Sequence, residues 1–505
     1  MSKTPLAWRR LLLAAGFHGA VLLAISIGAA GADWPMFGRD KARNPVTPEK
    51  NQPLHWDART GENIKWKAKL GSMTFAAPVV ANGLVWIGTN NEYPRDPSLT
   101  NAAGVLMCFR ERDGKFLYQY VSPARPGPTY NQTRTGISCS PLIEGDRLWF
   151  VTTGAEVVCL DIGPLRLGEG MPTELWKLHM MDELGVLPRQ AVMGGGGMCS
   201  IAASYRDLIY VVTGNGTDRA GANVPAPFAP ALVGLNKNTG KVVWEDNSSG
   251  AKILFVEWGS PLVIEVGGQG QVIAPQGDGW IRSFDALTGK LIWKFDINRK
   301  DGQWPMTRGF FSTPPVFYRD RIYIAIGNYI EFGDLPGRLC SIDPTNTGDI
   351  SIELEDGPGK GKPNPNSGAV WHFDGIHRTM STVAIHDGLV IAPDFAGFLH
   401  CLDADTGRTN WTHDMKAHIF GSPLIADGRI YVADEDGDIW ILVPARRTDT
   451  RTPGGTVGAA PALVPAKARI CWIGWCDCAA GFDRRDWFAC RGFSNEQSAE
   501  ACRGK

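Results

Sequence analysis

A tight turn recurs along this chain at a fixed distance from a tryptophan, and that spacing limits what the chain can become. Three segments share it: Asn236-x-x-Thr239-Gly240-x-x-x-Trp244, Asp285-x-x-Thr288-Gly289-x-x-x-Trp293 and Asp403-x-x-Thr406-Gly407-x-x-x-Trp411. A weaker copy runs Arg110-x-x-Asp113-Gly114-x-x-x-Tyr118. Asp343 to Gly348 reads as a copy with one extra residue, and Asp161 to Trp176 as one stretched by an insertion. Asp or Asn and Thr bond the backbone of such a turn, and Gly takes the positive φ. A strand then starts and carries its indole two pleats along on one face.

A second element precedes each turn: two small residues before a proline, as in Ala76-Ala77-Pro78, Cys139-Ser140-Pro141, Gly259-Ser260-Pro261, Ser312-Thr313-Pro314 and Gly421-Ser422-Pro423. Cys199-Ser200 and Ser381-Thr382 keep the small pair without the proline. β-rich runs follow, starting at Leu84, Leu148, Leu208, Val272, Ile322, Leu389 and Ile430, and Asn82-Gly83, Asp387-Gly388 and Asp427-Gly428 are hairpin dipeptides. The unit is therefore four antiparallel strands repeated every 41 to 67 residues, the signature of a β-propeller blade. Seven units are plain. An eighth is expected from Ala459-Ala460-Pro461 to Cys471-Trp472-Ile473-Gly474, with Ile64-Lys65-Trp66 supplying the outer strand that closes the ring. The expectation is an all-β, eight-bladed propeller, with seven blades as the runner-up.

The turns agree with the composition, since Gly 60 and Pro 34 of 505 residues exceed the usual share. Balanced charge, 51 basic against 52 acidic residues, provides no field for nucleic acid. Residues 1–32 combine Lys3, Arg9 and Arg10 with an apolar run ending in Ala30-Gly31-Ala32, which reads as a secretory signal peptide or, uncleaved, an N-terminal membrane anchor. The propeller is expected over 33–474. Residues 475–505 are expected to be a Cys-rich tail, disordered or aberrant in reading frame. Cys471, Cys476, Cys478, Cys490 and Cys502 show neither Cys-x-x-Cys spacing nor a nearby His, so no metal site is assigned.

These turns, with their Thr-Gly and docking Trp, resemble the pyrroloquinoline quinone (PQQ) repeat family over about Trp34 to Gly474. Trp34-Pro35-Met36-Phe37-Gly38 with Arg43-Asn44, and Asn364 to Ser367 through Trp371-His372 and His377-Arg378-Thr379, resemble exported bacterial PQQ-binding-like propellers. Two better-known relatives imply different functions. Quinoprotein alcohol dehydrogenases hold the quinone and Ca²⁺ in the channel, usually beside a vicinal disulfide, and this chain has no Cys-Cys pair and no Cys-x-x-Cys-His haem site. The outer-membrane assembly lipoprotein is a propeller that binds proteins without catalysis. It carries a lipid-bearing cysteine after its signal, for which no equivalent follows Ala32. The resemblance implies a non-catalytic binding or scaffold propeller of the cell envelope, with an envelope protein or small molecule as partner. The alternative is a PQQ- and Ca²⁺-dependent alcohol or sugar dehydrogenase.

Trp244, Trp293 and Trp411, fixed in every unit, are expected to pack blade on blade, and Cys108, Cys159 and Cys401, at one repeat position, to be buried free thiols. Asp434 to Asp438 lacks the frame of an EF-hand and reads as a solvated acidic turn, and Gly194 to Gly197 is not followed by Lys-Ser/Thr as a phosphate loop would be. Residues preceding the small pairs align into a bulky ring of Phe75, Met198, Trp258, Phe311, Met380 and Phe420, broken by Ser138. Arg134, Glu257, Arg308, His377, Arg378 and His418 lie just upstream. Polar groups above an apolar ring describe a ligand mouth, so a site at one end of the channel is assigned to these residues with Trp258. No nucleophile set and no catalytic residue is assigned, and Glu257 is the sole candidate base.

Overall fold

The computed structural model describes residues 33–123, 136–188, 200–201, 204–218, 220–328 and 332–444. Among them seven sheets of four or five strands follow one another in chain order; their neighbouring strands are antiparallel except where a two-residue strand joins an edge in parallel, and one further hairpin lies in an insertion. Blade one comprises Val79–Ala81, Leu84–Asn90, Ala103–Arg110 and Phe116–Pro123. Its second and third strands are buried almost throughout and its fourth is half-exposed. The first strand therefore lies toward the middle and the fourth at the rim. The first strands of blades two to seven are Leu142–Glu144, Ser200–Ile201, Leu262–Val266, Val316–Tyr318, Ala384–His386 and Leu424–Ala426. Blade seven adds Arg429–Ala433 and Ile439–Leu442, and Val46–Thr47 joins its inner edge in parallel. The expected eighth unit and the Cys-rich tail lie outside the described residues.

The repeated turn and indole have one physical role. The Asn236 and Asp285 side chains accept from the amides and hydroxyls of Thr239 and Thr288, closing each turn. The glycine that follows lies under the indole of the preceding blade. A Cβ on Gly240, Gly289 or Gly407 would fall 2.5, 2.7 or 2.7 Å from Trp176, Trp244 or Trp371. Each indole then donates to a carbonyl of the same turn: Trp176 Nε1 to Lys237 O at 3.1 Å, Trp244 Nε1 to Ala286 O at 3.0 Å and Trp371 Nε1 to Ala404 O at 2.9 Å. A second aromatic, Trp149, Tyr210 or Tyr323, donates to that same carbonyl. The tryptophans thus join blade to blade.

Packing also explains the small residues. Gly234, Ser283, Ser341, Cys108, Cys159 and Cys401 each pair across the sheet with the indole or with Tyr118, so a large side chain there would meet a ring. The three cysteines are buried and unbridged. The small pair before each first strand joins neighbours as well. Ser140 Oγ bonds both backbone groups of Ala77, and Thr382 Oγ1 donates to Pro314 O while its amide donates to Ser422 Oγ.

Two expectations are revised. Asp343 to Gly348 is not a turn with one extra residue but the start of an insertion reaching Gly368, where Asp343 N donates to Gly368 O. The insertion holds the hairpin of Glu353–Glu355 and Gly361–Pro363, and the docking indole of blade five is Trp371, three residues after Gly368. Gly348 instead pairs in parallel with Trp293, whose Nε1 turns to Gln271 Oε1 at 3.2 Å. Ile64 to Trp66 is not a strand. Ile64 nonetheless packs against blade seven, and Trp66 docks on blade one's turn, with Nε1 2.7 Å from Glu111 O.

Candidate functional site

The links between second and third strands, and between one blade's last strand and the next blade's first, emerge on one face because consecutive strands alternate in direction. Those links in blades four, six and seven open with the same turn: the amide of Gln276, Asp394 or Asp434 donates to a carbonyl four residues on. Six residues after each opening residue, on the third strand, stands its side-chain partner. Arg282 meets Gln276, His400 Nε2 meets Asp394 Oδ2 at 3.0 Å, and Trp440 Nε1 meets Asp434 Oδ2 at 2.8 Å. Asp434 Oδ1 also accepts the amides of Asp436 and Asp438, so the acidic run is a self-capped turn. Among the described residues no group of three or more His, Cys, Asp or Glu side chains is arranged to hold a metal.

The residues expected at the channel mouth fall into two clusters. The first lies on blades four and five. Glu257 is buried at 1% exposure, and Oε2 accepts the Gly277 amide at 2.8 Å while Oε1 has no hydrogen-bond partner. Burial pushes its carboxyl up to about 8, so it is mostly protonated at neutral pH. Asp278 and Arg282, both buried, form a two-point pair at 3.0 and 2.7 Å. Arg308 donates to Asp278 O at 3.1 Å and shares Asp296 with Lys300, at 3.5 and 2.9 Å. Ile253, Leu254, Lys252, Asp278, Trp280 and Arg308 line a pocket of about 380 Å³ here. Trp258 is buried beside Phe255 and Phe310.

The second cluster spans blades six and seven. Asp394 is fully buried, and its Oδ2 meets His377 Nδ1 and His400 Nε2, both at 3.0 Å. Burial pushes this carboxyl up, but the His400 bond and the amides of Phe398 and His377 outweigh it and hold it below the usual carboxylate value. Arg378 lies 4.3 Å over the ring of Phe395, against which His418 stacks at 4.3 Å, and His418 Nδ1 meets Phe395 O at 2.6 Å. Burial lowers the Arg378 guanidinium to about 10, leaving it charged at neutral pH.

The bulky residues beside these clusters differ in their surroundings. Phe311 is sunk between blades four and five, Phe75 is 40% exposed, and Phe420 packs on Phe395. Arg134 and Met198 lie outside the described residues. Sequence reasoning missed Asp278, Arg282, Asp394, Phe395 and His400. Their signal was the end of the second strand, Pro275-Gln276 and Pro393-Asp394, followed after six residues by a polar side chain.

Asp394, His400 and Thr412 fall in acid, imidazole, hydroxyl order, with His400 Nδ1 3.1 Å from Thr412 Oγ1. That row is a brace within one sheet, because His400 and Thr412 are register partners and blades four and seven keep the same turn-to-strand contact without an imidazole. His377 is the addition without a repeat counterpart. Its Nδ1 is oriented by Asp394, and its Nε2 lies 4.0 Å from Asp334.

The turns, docking indoles and sheets define a PQQ-like repeat β-propeller. A family model described as outer membrane protein assembly factor BamB matches residues 189–349 and 362–446, and the chain is a relative of BamB. It is 22% identical to BamB of Shewanella oneidensis over 299 residues, covering 55% of this chain and 71% of that one. It is 27% identical to BamB of Kangiella koreensis over 186 residues, covering 34% and 48%. Solved structures with a similar fold include BamB from Moraxella catarrhalis, 16% identical, TM-score 0.44, covering 68% of this chain and 82% of that one. A quinohemoprotein alcohol dehydrogenase from Pseudomonas putida HK5 is 14% identical, with TM-score 0.49 and coverage of 82% and 76%.

Proposed function

We propose that this chain is a non-catalytic binding propeller of the bacterial cell envelope that holds a partner on the face carrying Glu257, Trp258, Arg308, His377, Arg378 and His418. The match to the BamB repeats supports the reading, since BamB is by name an assembly factor of the outer membrane. In this proposal residues 1–32 direct export, cleaved or retained as an anchor, and residues 459–474 supply an eighth blade.

The observation that carries the non-catalytic reading is that the aspartates of this face are each held by a cation or an imidazole. Asp278 is taken by Arg282, Asp296 by Lys300 and Arg308, and Asp394 by two imidazoles. Among the described residues no hydroxyl or thiol is hydrogen-bonded to His377. PQQ carries three carboxylates and needs converging cations, together with a carboxylate set for Ca²⁺. The cations described here are held by acids or packed on Phe395, so these residues do not fit the cofactor.

The test has two arms. The purified mature chain is mixed with PQQ and Ca²⁺ and assayed for quinone absorbance and for dye reduction with a panel of alcohols and sugars. Photo-crosslinkers at Arg308 and Arg378 are then activated in intact cells. A single envelope protein captured at both positions, with no dye reduction, is expected. Alcohol-dependent dye reduction would overturn the proposal and establish the dehydrogenase.

A further inference from the structure

The segment that opens with Trp34-Pro35 precedes the first blade, yet it lies across the first strands of five. A first strand is an edge strand, whose outward N–H groups need partners. In blades one, two, five, six and seven the middle residue of the first strand directs its amide away from its own sheet, and each of these amides has an acceptor in residues 34–45. Val80 N donates to Trp34 O and Ile143 N to Pro35 O, both at 2.9 Å. Phe317 N donates to Ala42 O and Ile425 N to Pro45 O, again at 2.9 Å. Ile385 uses a side chain in place of backbone: its N donates to Asn44 Oδ1 at 2.9 Å, and Asn44 Nδ2 donates to Ile385 O at 2.8 Å.

We infer that the first strands form a cradle that reads extended peptide backbone, that residues 34–47 are its ligand in cis, and that this strap closes the channel at the hairpin face. The main-chain pattern is that of strand addition to sheet edges, wrapped around a ring. Two side chains fix the register. Met36 is buried between blades two and three, and the fully buried Arg43 guanidinium lies within electrostatic reach of the Cys139 thiol at the start of blade two. The strap bends between them with Gly38, Arg39 and Arg43 at φ of 77, 75 and 54°. A Cβ on Gly38 would lie 2.6 Å from Arg43 Cα, so the bend admits no side chain there. Positive φ at two arginines persists where surroundings over-determine the backbone. The strap's contacts are at the hairpin ends of the first strands, opposite the links that carry His377 and Arg308. A partner in the channel therefore enters from that other face alone, which rests on the proposed function, whereas the strap itself does not.

The experiment places a protease site in the exposed stretch around Pro53 to His55 of the full chain. Cleavage leaves the strap held only by its contacts. The expected result is that the strap co-elutes with the ring after the cut. In mild denaturant it leaves, the amides of Val80, Ile143, Phe317, Ile385 and Ile425 lose hydrogen-exchange protection together, and Cys139 alone among the blade cysteines becomes reactive to maleimide. Added synthetic peptide 33–48 restores both. Asn44→Leu in the uncut chain, which keeps the covalent link, is expected to speed exchange at Ile385 about tenfold while leaving the docking turns protected. Strap loss with the five amides still protected and Cys139 still silent would overturn the inference, as would protection unchanged in Asn44→Leu. Neither readout uses an envelope partner, so failure of the proposed function leaves this result standing.

Discussion

Gly289 gives the sharpest test of the indoles as joints between blades. Its φ of 70° costs an L-residue about 1–2 kcal/mol when Gly289→Ala is made. The new Cβ would also fall 2.7 Å from Trp244 Cδ2 and 2.8 Å from Cε3 and Cγ. The ring has little room to retreat, because Nε1 is bonded to Ala286 O at 3.0 Å and Tyr210 and Phe284 lie at centroid distances of 5.6 and 6.1 Å. Overpacking of that kind costs roughly 1–3 kcal/mol, so the total is about 2–5 kcal/mol. Gly83 is the control, with φ of 75° and nothing within 4 Å of an added Cβ, so Gly83→Ala should cost only about 1–2 kcal/mol. Equilibrium urea denaturation of both variants measures the difference. In a Trp244→Ala background the extra cost of Gly289→Ala should vanish, a coupling of about 1–3 kcal/mol. Equal destabilisation by the two glycine variants, or no coupling to Trp244, would refute the docking account.

Burial raises the Glu257 carboxyl to about 8, far above its unfolded value, so the folded state binds that proton more tightly and stability falls as pH rises between the two values. Calorimetry should show the melting temperature of wild type dropping relative to Glu257→Gln from pH 5 to 8, with the two closest at the acid end. Asp394 is shifted the other way, so its contribution is present above the unfolded carboxylate value and lost as pH falls through its own. Asp394→Asn removes the carboxylate charge shared by His377 and His400 and turns one of the two acceptor oxygens into a donor, and should cost about 2–4 kcal/mol at neutral pH by urea denaturation. Burial pushes the Cys159 and Cys340 thiols up to about 12 and raises Cys108 as well, so none should react with maleimide at pH 8 until the chain unfolds, as read by peptide mass spectrometry.

What the sequence disclosed and what it hid follow from the range of the interactions. Thr-Gly and Trp four residues apart are a local signal, and the joint they form was legible because its chemistry repeats in register. Trp371 was hidden because the insertion after Asp343 separates it from its turn, leaving nothing periodic to count. The strap was hidden for a different reason. Asn44 meets Ile385 and Pro45 meets Ile425, contacts hundreds of residues apart that rest on backbone groups carried by every sequence. Among the mouth residues, the repeat alignment singled out Glu257, Arg308, His377, Arg378 and His418. It did not find their partners Asp296 and Asp394, which sit on strand ends and turns outside the aligned motif.

The repeat also separates what the blade requires from what it does not. The residue two before the small pair is Ile137, Phe310 or Ile419 in some blades and Thr74 or Thr379 in others, all buried. In blade four that place is held by Glu257, whose burial costs stability that an isoleucine would not. The brace from turn to third strand works with Gln276 and Arg282 or with Asp434 and Trp440, so His377 on Asp394 adds nothing that the sheet needs. Residues that a fold neither needs nor rewards mark where a chain departs from local consistency for the sake of something else. Both departures stand on the loop face, and the strap lies across the hairpin face. If function sat at the strapped end, the unneeded groups should cluster there, and substitutions at Glu257 and His377 should leave partner capture untouched.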